Sequence, residues 1–326
     1  MVRFATIGSN FVVDWMLTAG KTLSDFRHEA VYSRTEERGR EFADKWGVKK
    51  VYTDLDALAA DPDIDAVYVA SPNLCHKEQA RKMLEAGKHV LCEKPVVLNV
   101  GDFDELAALA RQKSLIFMEA MRPVHGEGIA TIRRLLPRLG RLRRVSLEFC
   151  QYSSRYDKFQ AGIVENAFKP ELGNGALMDI GVYCVHLAEA ILGAPETVTG
   201  ATCFLPGGAD GQGTLLLGYP DRLCDIRYAK ITQSINVNVI QGEQGLLILD
   251  GTSIIRSVTL RPRKGEEQVF PIVQPEGGDM VWELTDFIDQ VQSGRADPQW
   301  ETHSRNALVI MDNARAAMGV DFKAKP

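Results

Sequence analysis

The chain has 326 residues, which at about 150 residues per domain suggests two domains. With 45% hydrophobic and 25% charged residues it can fill one or two large cores, which excludes a disordered or fibrous chain. The 43 acidic residues outnumber the 38 basic ones and give a net charge of −5, the wrong balance for a nucleic-acid binder. The densest basic run, Arg133, Arg134, Arg138, Arg141, Arg143 and Arg144, reads as a solvated face and a turn, with an opening for an anionic ligand or partner. No run of about 20 apolar residues is read as a membrane span. The first eight residues lack the charged start and long apolar stretch of a signal peptide. Six scattered cysteines without a Cys-x-x-Cys pair suggest reduced thiols and a cytoplasmic location, and the six histidines show no metal-ligand spacing.

In chain order, a β-rich run over residues 2–7 ends at Gly8 and leads into a helix over 11–19. A second strand, 29–33, precedes a helix over 36–46, where Phe42 and Trp46 stand at i, i+4 and Gly47 is a natural stop. Strand 65–70 closes at Ser71-Pro72-Asn73, helix 77–86 stops at Gly87, and strand 89–92 follows. Helix 102–112 places Phe103, Leu106, Ala107 and Ala110 on one face, and a last strand of the series covers 115–118. Alternation of this kind means βαβ units and a doubly wound parallel sheet.

After Pro123 the rhythm changes. Helices over 129–136 and 181–192 are followed by strands over 198–204, 214–219, 223–230, 234–241 and 245–250. Turns such as Pro206-Gly207-Gly208 and Pro220-Asp221 join them into an antiparallel sheet. Helices over 279–293 and 302–318 close the chain. The expected fold class is α/β: a Rossmann domain over residues 1–122, then an α+β domain over 123–326.

The first strand runs into Gly8-Ser9-Asn10-Phe11 at the start of a helix, the setting of a dinucleotide-binding turn. The three glycine positions of that fingerprint hold Gly8, Asn10 and Val13. Asn10 can adopt a left-handed conformation, whereas Val13 would loosen helix–sheet packing, so a generic βα turn fits equally well. The tip of the second strand reads Ser33-Arg34-Thr35, with no acid to hold the ribose hydroxyls of NAD. Arg34 instead offers a planar permanent cation for a 2′-phosphate, flanked by two hydroxyls. NADP is therefore expected over NAD, with an exposed loop arginine as the plain alternative.

Three further segments carry a resemblance. They are Ala70-Ser71-Pro72-Asn73 with His76, then Ala86-Gly87-Lys88-His89-Val90-Leu91-Cys92-Glu93-Lys94-Pro95, then Gly175-Ala176-Leu177-Met178-Asp179-Ile180-Gly181-Val182-Tyr183. Their order and spacing resemble the glucose-fructose oxidoreductase and inositol dehydrogenase (Gfo/Idh/MocA) family over essentially the whole chain. The resemblance implies a large, mostly antiparallel sheet in the second domain that mediates a homodimer or higher homo-oligomer. It also implies NAD(P)-linked oxidation or reduction of sugars, polyols or related cyclic alcohols. By position, Lys94 is the lysine beside the nicotinamide, and Glu93, Ser71, Pro72, Asn73 and His76 belong to the cofactor side. Asp179 is the family carboxylate, and Tyr183 stands where many members have His, which is similar to the tyrosine branch of sugar and dihydrodiol dehydrogenases.

Reducing a carbonyl leaves an alkoxide to be stabilised and protonated, and the reverse reaction needs a base. Tyr183 suits that role if an ammonium such as Lys94 lies beside it, and Lys94 can itself polarise the carbonyl. Asp179 and Tyr183, at i, i+4, share a face of a continuous helix, with His186 three residues on as a reserve proton carrier. Asp179 as a helix cap and Tyr183 or His186 as core residues are the bland alternatives. Arg155, Tyr156, Asn166 and His186 are candidate substrate ligands. Two other functions stay open: a non-catalytic NAD(P)-binding regulator, and a family glycosidase that uses NAD transiently.

Overall fold

The computed structural model describes residues 1–323, which divide into two compact units. The first comprises Met1–Ala120 together with Gln274–Thr302. Its elements alternate as β1 (Val2–Ile7), α1 (Phe11–Gly20), β2 (Phe26–Tyr32), α2 (Glu36–Trp46), β3 (Lys50–Tyr52), α3 (Leu55–Ala60), β4 (Ala66–Val69), α4 (His76–Glu85), β5 (His89–Glu93), α5 (Val100–Gln112) and β6 (Phe117–Ala120). The six strands are parallel in the order β3-β2-β1-β4-β5-β6, the doubly wound Rossmann arrangement. Strands β1 and β4 are buried along nearly their whole length, as a sheet covered by helices on both faces requires. The short pair β3 and α3 escaped the sequence reading, being only three and six residues long.

The split into residues 1–122 and 123–326 needs correction. Helix α9 (Met280–Ser293) returns to the first unit and packs on α1, β1 and β6. Its Phe287 is fully buried, with its ring centroid 5.7 Å from that of Phe4. Helical periodicity identifies an apolar face but not which core receives it.

The second unit, Met121–Val273 and His303–Pro326 as far as residue 323, contains α6 (Glu127–Leu135), β7 (Leu142–Cys150), α7 (Ser154–Gln160), a π-turn (Leu177–Gly181), α8 (Val182–Leu192), β8 (Thr197–Phe204), β9 (Asp210–Gly218) and β10 (Leu223–Ala229). Strands β11 (Asn238–Gly242), β12 (Gly245–Leu249), β13 (Ser257–Pro262) and β14 (Gln268–Pro271) follow, and α10 (Pro298–Met318) closes the chain. The eight strands run β14-β13-β12-β11-β7-β10-β9-β8, antiparallel except between β7 and β10. Helices α6 and α8 lie on one face, against Val145, Leu147, Ile226, Ile240, Leu247 and Val258, which are all buried. On the other face, Thr199, Leu216, Asp225, Ser146, Val239, Ile248, Thr259 and Val269 stand in register across all eight strands. Most of that row is exposed or half-exposed.

Two sequence expectations change here. The arginine run is not a free anion patch: Arg143 and Arg144 lie on β7 and, with Arg141, pair with Glu243, Asp225 and Asp221 at 2.5–2.8 Å. The segment Pro170–Leu192 is long and apolar enough to cross a membrane by composition, but most of it is buried in the core of the second unit. All six cysteines are free.

Replacing Phe287 with Ala should cost about 3–5 kcal/mol. Hydrogen exchange should show the lost protection in residues 2–120, and loss confined to residues 123–273 would contradict the placement of α9.

Candidate active site

A parallel sheet brings the carboxyl ends of its strands to one edge, where ligands bind. In the first unit that edge gathers Gly8 after β1, Ser33-Arg34-Thr35 after β2, Ser71-Pro72-Asn73 after β4 and Lys94 after β5. Gly8 has φ +120°, and a β-carbon there would stand 2.6 Å from the Ala70 carbonyl oxygen, so the turn tolerates only glycine. Asn10 is extended rather than left-handed, with φ −99°. It caps α1 by accepting from the Val12 and Val13 amides at 2.9 and 3.3 Å, while its Nδ2 donates to Ala70 O at 2.8 Å. Val13 fills the core instead of loosening it. Ser9 is half-buried and Phe11 exposed, so both can face a ligand. Arg34 and Thr35 are exposed, Ser33 is buried, and Arg34 makes no ion pair among the described residues.

The Glu93-Lys94-Pro95 turn is tied from several sides. Tyr68, fully buried, donates to Glu93 Oε1 at 2.5 Å; burial and the adjacent carboxylate push its phenol well above the ordinary value, so it stays a donor. The Lys94 amide donates to Glu93 Oε2 at 3.2 Å, and the Val96 amide donates to Glu119 at 3.0 Å. His76 is completely buried with its ring nitrogens 2.9 Å from the carbonyl oxygens of Pro95 and Ser71. Burial pushes this imidazole below its ordinary value while the two carbonyls pull the other way. His76 thus orders the two turns from beneath, and the Lys94–Pro95 peptide it supports is cis. Lys94 itself is half-buried. These residues suit a dinucleotide: a glycine cradle at the first βα turn, an uncommitted guanidinium at the second strand tip and a lysine on an anchored turn further along the edge.

In the second unit Asp179 does not lie on a continuous α-helix. It occupies the π-turn that leads into α8, a conformation frequent at functional sites. The turn is fixed from β9. Buried Asp210 accepts from the Leu177 amide at 2.7 Å, and a β-carbon on Gly175 would meet Asp210 Oδ1 at 1.9 Å. Burial pushes the Asp210 carboxyl up to about 6. Asp179 Oδ2 accepts from Lys230, whose ammonium lies 5.1 Å from the centroid of the Phe168 ring. Tyr183 accepts a long hydrogen bond, 3.5 Å, from Arg122, and its ring lies 5.9 Å from that of Phe149.

The other candidates divide. His186 is 1% exposed and packs inside the unit, so it is withdrawn as a substrate ligand. It lies 2.9 Å from His303, which pairs with Glu189, itself accepting from Asn306 at 3.0 Å. Arg155 pairs with Glu165 at 3.4 Å. Tyr156 stacks on Phe159 with an interplanar angle of 16°, and Asn166 is exposed, its carbonyl accepting from Asn174 at 2.8 Å. Of the three, Tyr156 packs with Phe159 against the small cluster of Ala167, Phe168 and Ala209.

The sequence profile of the oxidoreductase family with an NAD-binding Rossmann fold matches residues 2–121, and that of the GFO/IDH/MocA C-terminal domain matches residues 129–248. The chain belongs to the Gfo/Idh/MocA family. It is 39% identical over 326 residues to scyllo-inositol 2-dehydrogenase (NADP(+)) IolU of Bacillus subtilis, covering 99% of both chains. It is 30% identical over 322 residues to human trans-1,2-dihydrobenzene-1,2-diol dehydrogenase, covering 93% of this chain and 92% of that one. Among solved structures, KijD10, a 3-ketoreductase from Actinomadura kijaniata in complex with NADP and TDP-benzene, superposes with a TM-score of 0.85 at 23% identity, over 97% of this chain and 98% of that one. This Gfo/Idh/MocA protein is accordingly an NAD(P)-dependent oxidoreductase with the expected mixed α/β architecture.

Sequence reasoning missed Arg122, Asp210 and Lys230. Lys230 had a signal: Cys224, Ile226 and Tyr228 are the inward residues of β10, and the two-residue period continues to Lys230.

Asp210 gives a pH signature. Its folded carboxyl holds a proton that the unfolded chain releases between about pH 4 and 6, so its contribution falls as pH rises through that window, by about 3 kcal/mol in all. Asp210→Asn should lack this component. Urea unfolding at pH 4 and 7 measures it, and parallel pH profiles for the two proteins would contradict it.

Proposed function

We propose that this protein is an NADP-preferring dehydrogenase that exchanges a hydride between the nicotinamide and a secondary alcohol or carbonyl of a small polyol, sugar or cyclic diol. The observation that carries this reading is the anchored Glu93-Lys94-Pro95 turn. Its lysine backbone is held by Glu93, and the flanking Pro95 and Val96 are held by His76 and Glu119, at the strand edge where a nicotinamide is bound. The exposed Arg34 supports NADP, and the NADP(+) and inositol specificity of the Bacillus subtilis relative supports both cofactor and substrate class.

Gly8, Ser9, Asn10 and Phe11 would hold the pyrophosphate. Arg34, with Ser33 and Thr35, would take the ribose 2′-phosphate, and Ser71, Pro72, Asn73 and Glu93 would flank the nicotinamide end. When bound, the cofactor supplies or accepts the hydride. In this reading Lys94 polarises the substrate oxygen. Tyr183 handles the proton, and its hydroxyl oxygen accepts a hydrogen bond from Arg122. In reduction that proton goes to the developing alkoxide, and in oxidation the phenolate takes it back from the hydroxyl. The same reading joins two chains through the open face of the eight-stranded sheet, where Leu216 and Val269 are exposed.

Three outcomes follow. Lys94→Ala should lower kcat about 10²–10⁴-fold while NADP affinity, read by thermal shift, stays nearly unchanged; an active variant would end the assignment. Arg34→Ala should weaken NADP binding by about one order of magnitude or more and leave NAD binding alone, and equal losses for both cofactors would contradict the 2′-phosphate role. Light scattering should give a mass twice the 36.1 kDa of the chain, reduced toward a monomer by Leu216→Glu, whereas a monomeric wild type would exclude the open-face pairing.

A further inference from the structure

His76 opens α4 and is completely buried in the first unit. Its Nδ1 lies 2.9 Å from Pro95 O and its Nε2 lies 2.9 Å from Ser71 O, both in hydrogen-bond geometry. A carbonyl oxygen only accepts, so each contact asks the ring nitrogen for a hydrogen. A neutral imidazole carries one ring hydrogen and would aim a bare lone pair at the second oxygen. Only the imidazolium donates at both nitrogens.

The two oxygens are held by the rest of their turns. After β4, the Cys75 amide donates to Pro72 O at 2.8 Å and the Ser71 hydroxyl donates to Gln79 Oε1 at 2.6 Å. After β5, the Lys94 amide donates to Glu93 at 3.2 Å and the Val96 amide to Glu119 at 3.0 Å. Burial is the largest influence against a charged ring, and Lys94 adds to it, while the carbonyls of Pro95, Ser71 and Val96 favour the charge. Of the other charged side chains on these turns and helices, Glu93 accepts from Tyr68, and Lys77 pairs with Asp102 and Glu105 of α5. His28 on β2 is the contrasting case. Its Nε2 lies 3.1 Å from Ala30 O, its Nδ1 has no hydrogen-bond partner among the described residues, and burial pushes it down to about 4. One hydrogen satisfies His28, whereas the surroundings of His76 take two.

We propose that His76 is an imidazolium at neutral pH and that its two ring hydrogens lock the turns after β4 and β5 into one ledge. It is a positioning residue: fully enclosed, it meets no ligand itself but holds the backbone of Ser71-Pro72-Asn73 and Glu93-Lys94-Pro95. Its effect on the cofactor rests on the oxidoreductase reading above, whereas its protonation state stands on the ring's surroundings alone. Loss of one proton removes one of the two bonds, so the lock is whole at lower pH and loosens as pH rises through the ring's titration. NADP affinity falls over the same interval.

The test begins with long-range nitrogen NMR of the histidine rings in the cofactor-free wild type, with His76 assigned from its own backbone resonances. At pH 7 both ring nitrogens of His76 should carry hydrogen, while His28 shows one bare nitrogen. A bare nitrogen on His76 at that pH would overturn the proposal. Calorimetric titration with NADP from neutral to alkaline pH then reads the ledge. Affinity should drop where the His76 ring loses its proton, and an affinity indifferent to that titration would overturn the positioning role. His76→Gln, whose amide donates from one end only, should bind NADP about tenfold or more weakly at pH 7 and lack the drop; unchanged binding would likewise overturn that role. Should this variant fail to fold, the two wild-type measurements decide. A doubly protonated His76 in a protein that does not bind NADP at all would end the cofactor reading and leave the lock standing.

Discussion

The first unit depends on one constraint: six parallel strands must end on the same edge. Parallel pairing needs a crossover after every strand, so each carboxyl end delivers a turn, and the turns of β1, β2, β4 and β5 become neighbours although up to about ninety residues separate them in sequence. What remains for individual residues is to make those turns fit and hold still. Gly8 leaves room against Ala70, Asn10 both caps α1 and ties it to the same carbonyl, and His76 spans the turns after β4 and β5 from below. The backbone that carries Lys94 is fixed by these neighbours.

The second unit solves a different problem, that of holding charge next to an apolar core. Asp210, Asp179 and Lys230 lie around one π-turn, and each is stabilised by a specific donor or counter-charge. Burial raises the Asp210 carboxyl even though Lys230 lies close enough to oppose the shift. The same pattern recurs between α8 and α10, where Glu189, His303 and His186 form a buried chain. Charges enclosed at this level cost stability unless every member is paired. A side chain at Gly175 would displace Asp210, and one at Gly181 would crowd Tyr228 and Leu177.

Much of this was legible in the sequence, and the losses have physical causes. Elements with a clean period and a stop, such as α2 with Phe42, Trp46 and Gly47, were placed to the residue. Strand β7 was lost because Arg143 and Arg144 outweighed the alternation of Val145 and Leu147 with Ser146 and Glu148. Helix α9 was placed but assigned to the wrong core, since nothing local says which sheet a helix will cover. For the site, the motif residues Lys94, Asp179 and Tyr183 were readable, whereas their supports were not. Asp210 and Lys230 come from strand ends and meet the π-turn, and Arg122 comes from the turn after β6 and meets Tyr183 on α8, through three-dimensional register alone. Asn at the second glycine position, expected to take a left-handed conformation, is extended and serves as the cap of α1 instead.

As proposed, the protein carries out NADP-linked chemistry on a hydroxylated small molecule. The most direct measurement follows the near-ultraviolet absorbance of reduced nicotinamide while wild-type protein and NADP meet a panel of inositols, sugars and cyclic diols. NADPH formation with a polyol, sugar or cyclic diol and a slower rate with NAD are expected. Tight binding of NADP without any absorbance change across the panel would contradict it and favour a non-catalytic nucleotide-binding regulator of the same fold.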